Sequence, residues 1–191
     1  SWGLKYSSVD TTDLEMFASA INENTKLALL ESPSNPLMLI TDLEKTIHVA
    51  HQKGVMICVD NTFSTPYNTN PIDFGADFVM HSTSKFLGGH SDIIGGAIIA
   101  AKKVGEFESI RNIQIKQGSV PSPFDCWLLT RSIRSFPHRM RMHNQNAWEV
   151  AQFLNGHQKV QKVNYPGLPE HKDHEVAASQ MRGFGGMISF L

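Results

Sequence analysis

The chain has 191 residues, 41% of them apolar and 18% charged, and a formal net charge of −1. That length suits one domain, or one domain and part of another, and the composition allows a packed core and excludes broad disorder. A charge so near zero supplies neither a basic field for nucleic acid nor a polybasic patch for a membrane surface.

The first predicted helix covers 11–21, where Thr12 and Glu15 have capping-box spacing and Leu14, Ala18 and Ile21 share a face. TKLALLES (25–32) is apolar without polar alternation, as in a strand buried on both faces, and it stops at the breaker SPSNP. A second capping box, Thr41 and Glu44, opens a helix over 41–54 that carries a Leu43, Ile47, Ala50 stripe and ends at Gly54. VMICVD (55–60), ADFVMH (76–81) and DIIGGAIIA (92–100) are three further strands, and 102–110 is a short helix. Strands alternating with helices predict an α/β fold with a mainly parallel sheet and helices on both faces.

QGSVPSPFD (117–125) reads as a loop, followed by helical stretches at 126–136 and 139–156 with Pro137 splitting or kinking them. A strand over 160–166, a polar loop, a short helix over 175–181 and a strand over 185–191 complete the chain. The rhythm changes near residue 141, so we divide the chain into a large domain, 1–140, and the beginning of a smaller α+β domain, 141–191. A start without methionine and an end inside the apolar run GGMISFL lead us to expect a central piece of a longer chain. Cys58 and Cys126 lack CxxC spacing and lie in apolar surroundings, which predicts reduced core thiols. No apolar run approaches the ~18–20 residues that span a bilayer, so we expect a cytoplasmic protein with no membrane partner.

The chemistry gathers behind the strands. Asn35, Asp60 and Lys85 each stand at or just past the end of a buried run, and ligand sites in open α/β sheets form outside the carboxyl ends of the strands. A lysine in a partly desolvated site attacks aldehydes. A carboxylate aimed at a pyridine nitrogen keeps it protonated. Ser82 and Ser84, with the backbone amides of their turn, suit a phosphate. An aldehyde, a pyridine and a phosphate together describe pyridoxal phosphate (PLP). Each residue also has an ordinary reading: a solvated lysine, a turn-forming aspartate, serines that satisfy local backbone. No Cys/His cluster has metal-ligand spacing, so no metal site is expected.

HSTSKFLGGHSDIIGG (81–96) closely resembles the lysine motif of the Cys/Met-metabolism family of PLP enzymes. ESPSNP and VDNTFSTPYNTNPIDFGAD resemble two other signatures of that family, in the same order and spacing. RMRMHNQNAWEVAQFL and YPGLPEHKDHEVAASQMRGFGGMISF resemble its interdomain helix and the start of its small domain, most nearly in the cystathionine γ-lyase and γ-synthase branch.

The resemblance implies a fold-type I PLP-dependent enzyme. It implies that Lys85 holds the cofactor aldehyde and shuttles protons, that Asp60 pairs with the pyridinium nitrogen, that Asn35 approaches the ring's 3-hydroxyl oxygen, and that Ser82 and Ser84 bind phosphate. Thr83 is read as structural, His90 as a loop anchor, and His81 receives no role. The implied reaction is γ-elimination or γ-replacement on a sulfur amino acid or an activated homoserine, by a homo-oligomer built as a dimer of dimers. The alternatives are a non-catalytic fragment of the same fold, a methionine γ-lyase, a cystathionine β-lyase, or an aminotransferase, the last fitting the GHSD loop poorly. The resemblance also implies an upstream phosphate turn, a ring-stacking tyrosine and a downstream carboxylate-binding arginine, none of which can be placed in this sequence.

Overall fold

The computed structural model describes residues 3–102 and 105–191. Helix α1 (Leu14–Ala20) leads into strand β1 (Leu27–Glu31), followed by α2 (Leu43–Gln52), β2 (Met56–Asp60), the single-turn α3 (Thr65–Asn68), β3 (Phe78–Ser82) and β4 (Gly96–Ala100). These strands form one sheet in the order β1-β2-β3-β4. β1, β2 and β3 run parallel, with Glu31 beside Asp60 and Asp60 beside Met80. β4 returns antiparallel to β3, pairing Ser82 with Gly96. The sheet is therefore mainly parallel, with one antiparallel edge.

Both early helices start one residue later than the capping boxes predict. Asp13 and Asp42 are the N-caps, their carboxylates accepting from the backbone N–H of Met16 and Lys45. The threonines before them are engaged elsewhere. Thr12 donates to Asp10, and the Thr41 hydroxyl pairs with that of Thr11 at 2.6 Å. α2 ends as its sequence predicts. Gly54 adopts φ +70°, and the N–H groups of Gly54 and Val55 cap the carbonyls of His51 and Ala50, a Schellman arrangement.

The main core lies between the sheet and these helices, where Leu30, Ile57 and Val59 meet Phe17, Leu43, Ile47 and Ala50. On the second face Leu27 is 51% exposed and Leu29 is 60% exposed.

Helices α4 (Gly105–Gln117), α5 (Pro123–Ile133) and α6 (Phe136–Asn155) follow. α4 is longer than expected, taking in residues 111–117, while the expected start through 103–104 lies outside the described residues. α5 also begins earlier than expected, because Ser122 caps the N–H of Asp125 and Pro123 needs no N–H at the first helical position. Pro137 splits the helical stretch as anticipated and lies in the first turn of α6. The division expected after residue 140 falls inside α6, which is continuous.

Beyond α6 the short strands β5 (Val163–Asn164) and β6 (Ser189–Phe190) pair antiparallel, with α7 (His174–Gln180) between them. Both strands are shorter than predicted. Ala147 and Ala151 of α6 pack with Val163, Tyr165 and Leu168 in a separate buried cluster. α7 is fastened to the start of α2: the Gln180 amide accepts from Leu43 N and donates to Thr41 O, and Asp173 accepts from Ile40 N.

Cys58 and Cys126 are both free. Cys58 is partly buried, and burial, helped by the charge of Asp60, pushes its thiol up to about 11. Cys126, expected in the core, is exposed. Its helix presents Phe124 and Trp127 outward as well, so the apolar neighbours in its sequence do not cover it.

Candidate active site at the carboxyl edge of the sheet

Three parallel strands in register bring their carboxyl ends to one edge. Asp60 is the last residue of β2 and Ser82 the last of β3. By the strand register, both share the sheet face opposite the main core. Lys85 follows in a five-residue helical turn, Thr83–Leu87, and its φ −94°, ψ −130° breaks the turn's regularity. Asn35 lies four residues past the end of β1, on the same edge.

Thr62, which sequence reasoning missed, ties two of these groups together. Its N–H donates to Asp60 Oδ1 at 3.0 Å, and its hydroxyl accepts from the Ser82 N–H at 2.9 Å. One carboxylate oxygen is thereby fixed in place, and the end of β3 is held to the end of β2. The signal was present in the triplet Asp60-Asn61-Thr62, because an aspartate that accepts from the N–H two residues on is a common turn device.

The other expected residues are placed as follows. Asn35 is exposed, and its N–H lies 3.4 Å from Glu31 Oε2. Lys85 is exposed and its side chain makes no hydrogen bond among the described residues, so the partial desolvation expected of its surroundings is not seen in this chain. The Ser84 hydroxyl is turned back onto the chain, accepting from Gly95 N at 3.0 Å. Thr83 is buried, and a Cβ on Gly95 would come within 2.8 Å of its hydroxyl, so Thr83 packs the loop closed. His90 Nδ1 lies 2.7 Å from Gly88 O, anchoring its own loop. His81 is buried on the core side of β3, and burial lowers its pKa, opposed by Asp60. A cleft of about 430 Å³ lies beyond β1, lined by Asp10, Thr11, Glu31, Ser34 and Thr41 among others, and none of Asp60, Ser82 or Lys85 borders it. Among the described residues there is no cluster of metal-ligating side chains.

The model of the family described as Cys/Met metabolism PLP-dependent enzymes matches residues 1–191. The chain belongs to this family. It is 48% identical over 189 residues to a probable cystathionine γ-synthase of Herpetosiphon aurantiacus, covering 99% of this chain and 59% of that protein. It is 41% identical to a cystathionine γ-lyase of Dictyostelium discoideum, covering all of this chain and 49% of that protein. The crystal structure of cystathionine γ-lyase from Lactobacillus plantarum complexed with L-serine superposes with a TM-score of 0.96 at 41% identity, over 98% of this chain and 49% of that one. The fold is therefore the fold-type I arrangement, and this chain spans about half the length of the relatives it matches.

The residues present fit the family's cofactor in kind. An exposed amine, a carboxylate with one oxygen already oriented, and the Ser82 hydroxyl stand on one sheet edge, and they match an aldehyde, a pyridine nitrogen and a phosphate. Ser84 fits only if its hydroxyl leaves Gly95.

Proposed function

We propose that this chain forms the lysine-bearing part of a PLP-dependent enzyme that performs γ-elimination or γ-replacement on a sulfur amino acid or an activated homoserine. The observation that carries the reading is the placement of Lys85 one strand from Asp60, with Thr62 bonded to both strand ends. Relatives named cystathionine γ-synthase and γ-lyase, at 48% and 41% identity, support the substrate class.

When bound, the cofactor supplies an aldehyde for an amine and a ring that takes up negative charge from the carbon beside a substrate's amino group. Lys85 holds the aldehyde and, once released, moves the proton at that carbon. Such positioned proton transfers contribute ~10²–10⁴-fold in rate. Asp60 holds the proton on the pyridine nitrogen, its carboxylate oriented by Thr62. Asn35 orients the ring's 3-hydroxyl, and Ser82 and Ser84 bind the phosphate, Ser84 by exchanging its bond to Gly95.

The protein works as a homo-oligomer, a dimer of dimers. Large apolar side chains exposed on α4 and α5, among them Ile113, Ile115, Phe124 and Trp127, support a buried contact there. The division into a large domain, 1–140, and the beginning of a small one, 141–191, is supported by the separate cluster around Tyr165. Among the described residues no helix is long and apolar enough to cross a membrane, and two unbridged cysteines suit a cytoplasmic site of action.

The test is a visible spectrum of the protein at its natural length with added PLP, beside the Lys85→Ala variant. A band that the variant lacks supports the reading. Release of cysteine from cystathionine then marks elimination, and formation of cystathionine from cysteine and an activated homoserine marks replacement. No band, or one that survives in Lys85→Ala, overturns the assignment of Lys85.

A further inference from the structure

We infer that Arg139, near the start of α6, is the positioning residue that fixes the Lys85 turn. The inference rests on the reading that Lys85 is the reactive amine.

The last carbonyls of a helical turn have no partner within it. Here Thr83 O accepts from Gly88 N at 2.9 Å, Lys85 O from Gly89 N at 2.7 Å, and Gly88 O from His90 Nδ1 at 2.7 Å. Arg139 takes the carbonyls of Phe86 and Leu87: Nη1 donates to Phe86 O at 2.6 Å and Nη2 to Leu87 O at 3.2 Å. Nη2 also donates to Ser132 O of α5 at 3.1 Å, and Nε to Ser135 Oγ at 3.1 Å. One guanidinium thus joins the turn to the end of α5 and the start of α6. A planar fork of donors can do this, whereas a lysine ammonium has no such geometry.

The chain leaves space for that group. Gly89 stands at φ +72°, and a Cβ there would overlap the Arg139 guanidinium. The guanidinium carbon also lies 5.9 Å from the centre of the Phe136 ring. One turn further along α6, His143 meets the Phe86 ring edge-on at 5.0 Å. Gly186 closes the other side, where a Cβ would come within 3.3 Å of the same ring. The residue after Lys85 is therefore held by its carbonyl and by its ring, both from α6. The Lys85 side chain makes no hydrogen bond among the described residues, so its direction follows from the backbone that Arg139 holds.

The experiment is amide hydrogen exchange of the protein at its natural length, with and without PLP, in the wild type and in Arg139→Ala, Arg139→Lys and Gly89→Ala. Arg139→Ala should speed exchange at Gly88 and Gly89 about 10–100-fold, because two carbonyls lose charge-assisted bonds, and leave β2 unchanged. Arg139→Lys should fall between. Gly89→Ala, which keeps the arginine but fills its place, should reproduce the alanine variant. In the loaded enzyme Arg139→Ala should also lower kcat about tenfold or more with little change in KM, as misplacement of a reacting group does. Unchanged exchange at residues 83–90 in all three variants overturns the inference, as does an equal rise in β2. Should Arg139→Ala fail to fold, the other two variants decide. If the wild type shows no Lys85-dependent band, the functional reading fails while the exchange comparison still decides whether Arg139 holds the turn.

Discussion

Asn144 of α6 makes a reciprocal amide pair with Asn68, donating to Asn68 Oδ1 at 2.8 Å and accepting from Asn68 Nδ2 at 3.1 Å. Its Oδ1 also accepts from Gly185 N at 2.9 Å. One side chain therefore joins α6 to the turn after Asp60 and to the segment before β6. Asn68 is fully buried, so Asn144→Ala strands a donor and an acceptor where water does not reach. Three net hydrogen bonds at about 0.5–1.5 kcal/mol each, with the cost of the stranded amide at the upper end, give a loss of about 2–4 kcal/mol. Asn68→Ala removes two of the three bonds and leaves Asn144 Oδ1 on Gly185 N, so it should cost about 1–3 kcal/mol. The double variant should cost little more than Asn144→Ala alone, because the shared bonds can be lost only once, so the coupling should be about 1–3 kcal/mol. Urea unfolding of the four proteins measures it. Losses in the double variant that equal the sum of the singles within about 0.5 kcal/mol refute the pairing.

Asp60→Asn keeps an oxygen for the Thr62 N–H, so stability should stay within about 0.5 kcal/mol, while turnover should fall about 100-fold or more because a neutral amide cannot hold a proton on the ring nitrogen; equal turnover in a kinetic assay removes Asp60 from its role. His81, His143 and His171 all have pKa values lowered from 6.5, chiefly by burial, with Arg139 adding to the effect at His143. The native state then binds fewer protons than the unfolded chain below that value, so stability is complete above it and is lost as pH falls towards the lowered native values. Urea midpoints at about pH 8 and pH 5 should show it. Above the ordinary thiol value of 9.0 the sign reverses, because Cys58 ionises in the unfolded chain first and only near about 11 when folded; accordingly a thiol reagent should label exposed Cys126 promptly and Cys58 only on unfolding. Ile57→Ala, at a fully buried position, should cost about 2–5 kcal/mol, whereas Leu29→Ala, 60% exposed, should cost under about 1 kcal/mol, as read from unfolding midpoints.

What the sequence made legible was what depends on runs of like residues. TKLALLES, VMICVD and ADFVMH each gave a strand, because an apolar run of that length bounded by breakers has few other uses. The caps were misread by one position because Thr12 and Thr41 match a pattern whose hydrogen bonds are in fact made by the neighbouring aspartates. The direction of β4 was not legible, since DIIGGAIIA is compatible with either sense and only its pairing with β3 decides. Cys126 looked buried because CWLL is apolar in sequence, yet burial depends on what packs over the helix. At the candidate site, Asp60, Ser82 and Lys85 were singled out because each ends or follows a strand, and the structure sets them on one sheet edge. Thr62 and Arg139 were missed for different reasons. Thr62 acts through a local turn that reads as ordinary, and Arg139 stands in RMRM, where nothing local separates the arginine that reaches the turn from its exposed neighbour Arg141.

The sheet divides its two faces between the core and the proposed site. Along β2, Ile57 and Val59 point into the core under α2, while Cys58 and Asp60 point the other way. The register places Leu29 beside Cys58, and Glu31, Met80 and Ile98 in the row of Asp60, with Ser82 two residues further along β3. The alternation of a strand thus puts the core and the proposed site on one backbone without competition. Every second residue is free to carry an oxygen or a charge, because its neighbours already secure the fold. Asp60 accordingly perturbs Cys58 on its own face, burial being the larger cause of the shift there. A substitution on the core face should therefore move stability first and turnover only through unfolding, and one on the opposite face at the strand ends should do the reverse.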